Sequence, residues 1–69
     1  MTELKNHVKQ HRARLNLTQQ DLAEKVGVRR QTILALEKGS YGPSGILMFK
    51  IARVLEMKVD ELFELTEGN

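Results

Sequence analysis

Ala23 stands four residues before Gly27, and the β-branched Ile33 follows six residues after it, with Leu22 and Leu36 on either side. Each position has a mechanical reason. A residue as small as Ala23 lets two steeply crossed helices approach, Gly27 takes the left-handed turn conformation at least cost, and Ile33 locks the second helix onto the first. Only Val28 and Arg29 separate the stop at Gly27 from the next periodic segment. An ordinary helical hairpin would not require all of these residues together.

The rest of the chain is punctuated in the same way. Asn6 is a good helix N-cap, and Val8, Arg12 and Leu15 recur on one face of a first helix ending near Leu15, with residues 1–5 outside it. Thr18-Gln19-Gln20-Asp21 reads as a capping box opening a second helix, whose apolar face is Leu22, Ala23 and Val26. A third helix carries Ile33 and Leu36 and stops at Gly39. Pro43 bars helix before it, and Ser44 caps a fourth, strongly apolar helix through Leu55, expected at the centre of the core. Val59, Leu62, Phe63 and Leu65 suggest a short last helix with an extended tail. The expectation is an all-α fold of five short helices in one domain over residues 1–69.

Composition narrows the function. A chain of 69 residues without cysteine has neither disulfides nor thiolate metal sites, so its core must come from packing, completed or not by a partner subunit. Aromatic content of 4% argues against ring-stacking platforms for single strands. No apolar run approaches a membrane span and the first residues lack a signal-peptide core, so the expected location is cytoplasmic. Charge is unevenly distributed. Residues 1–38 hold eight Lys/Arg against four acids, a net +4, whereas residues 39–69 hold three against five, a net −2. A basic half suits a polyanion, although ordinary surface charge would also produce it.

The spacing over about residues 18–38 is a helix-turn-helix signature. The chain resembles the phage-repressor/Cro (XRE-like) family of helix-turn-helix regulators, particularly its small stand-alone members. The resemblance lies in Leu17-Thr18-Gln19, Leu22-Ala23, Gly27-Val28, Arg30-Gln31-Thr32-Ile33, Glu37, Gly39, Tyr41, Pro43-Ser44 and Lys50-Ile51-Ala52, and spans about residues 6–65. It implies a five-helix, lambda-repressor-like DNA-binding domain that acts as a dimer and reads double-stranded DNA with its third helix. It also leaves room for a short pairing of Glu3–Lys5 with Glu64–Thr66.

Combined with local chemistry, the resemblance assigns roles. With Ile33 and Leu36 inward, the third helix displays Arg30, Gln31, Leu34 and Lys38. Arginine bonds guanine O6/N7 and glutamine bonds adenine N6/N7, so Arg30 and Gln31 are the expected base readers. Gln19 can reach a base from the start of the second helix, and Ala35 matches a position offering methyl contact with thymine. Thr18, with Gln19, forms a phosphate seat at a helix N-terminus, and Arg29, opening the third helix, is placed for phosphate or a neighbouring base. Lys38, Ser40, Tyr41 and Ser44 lie where the resemblance puts further backbone contacts. Arg12 and Glu37 match a partly buried ion pair that holds the reading helix.

Other constellations are weaker. His7 and His11 share a helical face, but two histidines without a third aligned ligand are an ordinary surface or half-buried pair, and Glu3 falls outside that helix. No metal and no cofactor are expected. No phosphate loop, cysteine nucleophile or serine triad occurs, so the chain is read as a non-enzyme. Departures from the family pattern are Arg29 where Ser or Thr usually caps, Leu34 where a polar residue is common, Gly45 where a larger residue packs, and Lys58 before the last helix. The expected function is a homodimeric transcriptional regulator, a repressor on a near-palindromic operator, nucleoid-associated when bound. Its dimer surface is expected on the last two helices around Ile46, Met57 and Leu62. The alternative is a protein-interaction module of the antitoxin or bridging-factor kind, to which an exposed Leu34 would lend support.

Overall fold

The computed structural model describes residues 2–67, with the backbone alone for Thr2. The chain runs β1 (Thr2–Asn6), α1 (Val8–Arg14), α2 (Gln19–Val26), α3 (Arg30–Lys38), α4 (Gly45–Val54), α5 (Val59–Leu62) and β2 (Phe63–Glu67). The fold is the five-helix, lambda-repressor-like domain, extended by a two-stranded antiparallel sheet of β1 and β2.

Helix ends follow local chemistry. Thr18 and Asp21 make a reciprocal capping box: Thr18 Oγ1 accepts from the Asp21 N–H and the Asp21 carboxylate from the Thr18 N–H, each at 2.9 Å. Gly27 and Gly39 stop α2 and α3 in the left-handed conformation, with φ of 76° and 82°. Beyond them, the Val28 N–H donates to Ala23 C=O and the Ser40 N–H to Ala35 C=O, which satisfies terminal carbonyls. The chain leaves α1 and α4 through the same positive-φ geometry at Asn16 and Glu56. Ser44 caps α4 by accepting from the Leu47 N–H at 3.1 Å.

Two boundaries differ from the sequence reading. Asn6 is the last residue of β1 and His7 occupies the N-cap of α1, because pairing with Phe63 keeps Asn6 extended. Its side chain still serves the helix start, accepting from the Val8 N–H at 3.2 Å. The last helix is one turn long and stops at Leu62. Phe63 and Leu65, expected on that helix, belong to β2, because the ladder to β1 (Glu3↔Thr66, Leu4↔Leu65, Lys5↔Glu64) takes their backbone groups.

The core is built from Val8 of α1, Leu22, Ala23 and Val26 of α2, and Ile33 and Leu36 of α3. Leu47, Ile51 and Ala52 add the inner side of α4 and Leu55 its C-cap, and Leu62 and Phe63 close it. Helix α2 packs against both α3 and α4, and the small, fully buried Ala23 lets them approach. Leu62, expected in excess of the core, is instead 0% exposed. Only one side of α4 is interior: Ile46 and Phe49 remain 73% and 67% exposed.

Candidate nucleic-acid interface

Helix α3 is two-sided. Ile33 and Leu36 are buried, while Arg30, Gln31 and Lys38 are exposed on the outer surface. Leu34 and Ala35 lie at the margin, both half-buried. Leu34 is therefore not the fully exposed apolar side chain that would favour a protein-interaction helix. Arg29 occupies the N-cap with extended backbone and no side-chain cap, so its side chain is uncommitted at the start of α3.

The ion pair expected from the resemblance is present as geometry. Arg12 Nε donates to Glu37 Oε2 at 2.9 Å and Nη2 to Oε1 at 3.3 Å, while Nη1 donates to Leu17 C=O at 2.8 Å. The side chains are 13% and 5% exposed, so the fork is largely removed from water. It ties the last turn of α3 to α1 and to the connection leading into α2. Gln19 joins this network, its Nε2 donating to Glu37 Oε1 at 3.2 Å. One end of the Gln19 amide is therefore held, whereas Arg30 and Gln31 are free to reach outward.

At the start of α2, Thr18 Oγ1 is occupied with Asp21, and the N–H groups of Gln19 and Gln20 lack intrahelical partners because they belong to the first turn. These amides lie at the positive end of the helix dipole, an arrangement suited to an anion. The Asp21 carboxyl is held below its ordinary pKa first by the Thr18 backbone N–H, then by the Thr18 side chain, with a smaller contribution from Lys25. Around the α3–α4 connection, Lys38, Ser40, Tyr41 and Ser44 are all exposed. Ser40 Oγ donates to Ala35 C=O at 3.2 Å, and Ser44 is the α4 cap, so these two serve helix ends as well as facing solvent.

The two histidines do not converge. His7 Nε2 lies 3.1 Å from Glu64 Oε2, whereas His11 Nδ1 accepts from Arg14 Nε at 3.2 Å. Among the described residues no group of three His, Cys, Asp or Glu could hold a metal ion, and no helix is long and apolar enough to cross a membrane.

Sequence reasoning missed three features. Asn6 Nδ2 donates to Leu36 C=O at 2.9 Å, joining residues thirty apart, and no local pattern announces that contact. Arg14 Nη2 reaches Leu55 C=O at 3.0 Å, equally without a local signal. The exposure of Phe49 did have one: Leu47, Ile51 and Leu55 recur every four residues as an inner stripe, which leaves Phe49 with Ile46 and Arg53 on the outer side.

Similarity to known proteins agrees with this geometry. A family profile described as helix-turn-helix matches residues 8–62. The uncharacterized HTH-type transcriptional regulator MJ0272 of Methanocaldococcus jannaschii is 55% identical over 60 residues, covering 87% of this chain and 91% of that protein. The uncharacterized HTH-type transcriptional regulator YgzD of Bacillus subtilis is 48% identical over 66 residues, covering 96% of this chain and 100% of that protein. Among solved structures, the restriction-modification controller protein C.AhdI from Aeromonas hydrophila superposes with a TM-score of 0.73 at 26% identity, over 78% of this chain and 82% of that one. The profile match across most of the chain, the identity to both relatives and the α2–Gly27–α3 geometry together establish that this protein belongs to the XRE-like helix-turn-helix family of DNA-binding transcriptional regulators.

Proposed function

We propose that the protein is a sequence-specific repressor that binds a near-palindromic operator as a homodimer, one α3 per half-site. The observation that carries this reading is the outward display of Arg30 and Gln31 on a helix whose opposite side is locked into the core. Both side chains are long enough to reach base edges in the major groove, and each matches one purine bidentately. Thr18 and the free amides of α2 seat one phosphate, while Arg29, Lys38, Ser40, Tyr41 and Ser44 track the backbone. Gln19 contributes its remaining amide oxygen and Ala35 a methyl contact.

The homodimer rests on the outer side of α4. Ile46 and Phe49 leave more apolar surface in water than scattered single residues would, and Phe49 continues into a shallow cleft with Ala52, Met57 and Val59. Arg53 and Asp60 border that cleft. Opposite charges on one patch suit an isologous contact, in which each Arg53 meets the Asp60 of the other copy. A second copy also doubles the base contacts available to a domain this small.

Selection from a random duplex pool followed by footprinting tests the proposal. The expected product is an inverted repeat with half-sites about 34 Å apart, roughly one helical turn, bound with a steep fall in log affinity against log salt. Placing that repeat across a promoter should lower transcription when the protein is added. Absence of duplex binding at low salt would overturn the reading.

A further inference from the structure

We propose that Asn6 is a positioning residue for the reading helix, a bracket through which the terminal sheet fixes where α3 ends. The inference rests on α3 being the element that contacts DNA. Asn6 closes β1, opposite Phe63 in the ladder, and its side chain divides between two helices. Oδ1 accepts from the first N–H of α1 at 3.2 Å, and Nδ2 donates at 2.9 Å to Leu36 C=O in the last turn of α3. A side-chain amide is suited to the position because it carries a donor and an acceptor on one short planar group; a carboxylate lacks the donor and a hydroxyl is too short to span both. The residue is half-buried, so water competes weakly for either contact.

The neighbouring backbone extends the brace. The His7 N–H donates to Leu62 C=O at 2.9 Å, so the joint between β1 and α1 is fastened to α5 immediately beside the point where Asn6 fastens it to α3. Leu36 C=O also accepts from the Gly39 N–H at 3.0 Å, which places the bracket on the turn that stops the helix. The last turn of α3 is therefore tied at two residues, at Glu37 by Arg12 of α1 and Gln19 of α2, and at Leu36 by Asn6 of the sheet. Rotation of α3 about its axis, or sliding along it, would carry Arg30 and Gln31 away from base edges, and bidentate contacts tolerate little displacement. With the Asn6 tie removed, the helix keeps its own hydrogen bonds but gains freedom to shift.

Two variants test this. Asn6→Ser retains a short acceptor near the Val8 N–H and cannot reach Leu36, and Asn6→Asp keeps the length but meets the Leu36 carbonyl with an oxygen. Each is measured at a temperature where circular dichroism shows it fully folded, against the duplex that the unaltered protein selects from the random pool and against a scrambled duplex of equal length. The expected result is a loss of about five- to tenfold in affinity for the selected duplex, the value of one displaced hydrogen bond. Binding of Asn6→Ser to the scrambled duplex should change by less than about twofold, because its phosphate charges are untouched. Amide exchange at Gly39 and Ser40 should accelerate in both free variants. Folded variants with an unchanged ratio of selected to scrambled affinity, or with unchanged exchange at those amides, would overturn the proposal. Should the unaltered protein prefer no duplex, the reading of α3 falls separately, and exchange alone decides whether Asn6 braces that helix.

Discussion

Helices α3 and α4 follow one another in the chain, and both present aliphatic side chains to the same core, yet they differ in what they offer to solvent. Helix α3 exposes a guanidinium, a carboxamide and an ammonium at Arg30, Gln31 and Lys38, whereas α4 exposes the large apolar side chains of Ile46 and Phe49 beside Lys50 and Arg53. The first surface suits a polyanion that supplies its own charge, and the second suits a body that can exclude water. That difference would let so small a domain make both of the contacts proposed above, since one core orients the two helices and leaves the outer side of each in water. If that division holds, substitutions on either surface should separate cleanly from those that loosen the core between them.

The largest effect is expected at the buried fork that ties α3 to α1. Arg12→Ala leaves Glu37 buried without its partner and should destabilise the fold by about 3–5 kcal/mol, measured by denaturant unfolding, with DNA affinity falling alongside. Exchanging both residues for aliphatic ones of similar volume should restore much of that stability, because the uncompensated charge is gone. Unchanged stability in Arg12→Ala would show that the 2.9 Å contact contributes nothing.

Phe49→Asp attacks the α4 surface alone. Sedimentation should show monomers, and affinity for the selected repeat should fall by about 10²-fold or more as avidity is lost, while unfolding of the monomer is little altered. Arg30→Ala attacks the α3 surface alone and should cost about 1–3 kcal/mol of discrimination at one base position without changing the oligomeric state. The backbone contact differs in kind: Lys38→Ala should weaken all duplexes evenly and reduce the salt slope by about 1. A monomeric Arg30→Ala protein, or a Phe49→Asp protein with intact operator affinity, would break the division between the two helices.

Smaller effects refine the helix starts. A Cβ at Gly45, the first residue of α4, would meet nothing within 4 Å. Gly45→Ala should therefore stabilise the protein by about 0.4–1 kcal/mol, chiefly through the unfolded chain, which a shift in thermal midpoint would register. The smallest effect concerns Asp21. Its carboxyl pKa is lowered in the folded state, so it contributes stability at neutral pH that is lost as pH falls through the folded value, below the ordinary 3.8. Asp21→Asn should lower stability slightly at neutral pH and match the unaltered protein in strong acid, so that the acid limb of its stability curve is flatter.

The helical framework was legible in the chain because its signals are local. Gly27 and Gly39 mark helix ends through backbone conformations that glycine adopts cheaply, and Thr18 with Asp21 marks a start through hydrogen bonds spanning three residues. The outward positions of Arg30 and Gln31 follow from the inward ones of Ile33 and Leu36. Leu62 was harder: an apolar residue near a chain end reads the same whether it completes the core or waits outside it, whereas the four-residue stripe of α4 already marked Phe49 as outer. Leu62 is enclosed because β2 folds back beside β1, and Phe49 is left outside because Leu47 and Ile51 already fill the inner side of its helix.

Residue order alone thus specified where helices begin and end and which side of α3 is polar, because those choices depend on neighbours within one or two turns. Packing in three dimensions settled what joins distant segments: the β1–β2 register, the reach of Asn6 to Leu36, the engagement of Gln19 with Glu37, and which apolar side chains remain in water. Such contacts depend on how closely elements approach after folding. That distance is set by the summed shapes of the whole core, and no short stretch of the chain encodes it.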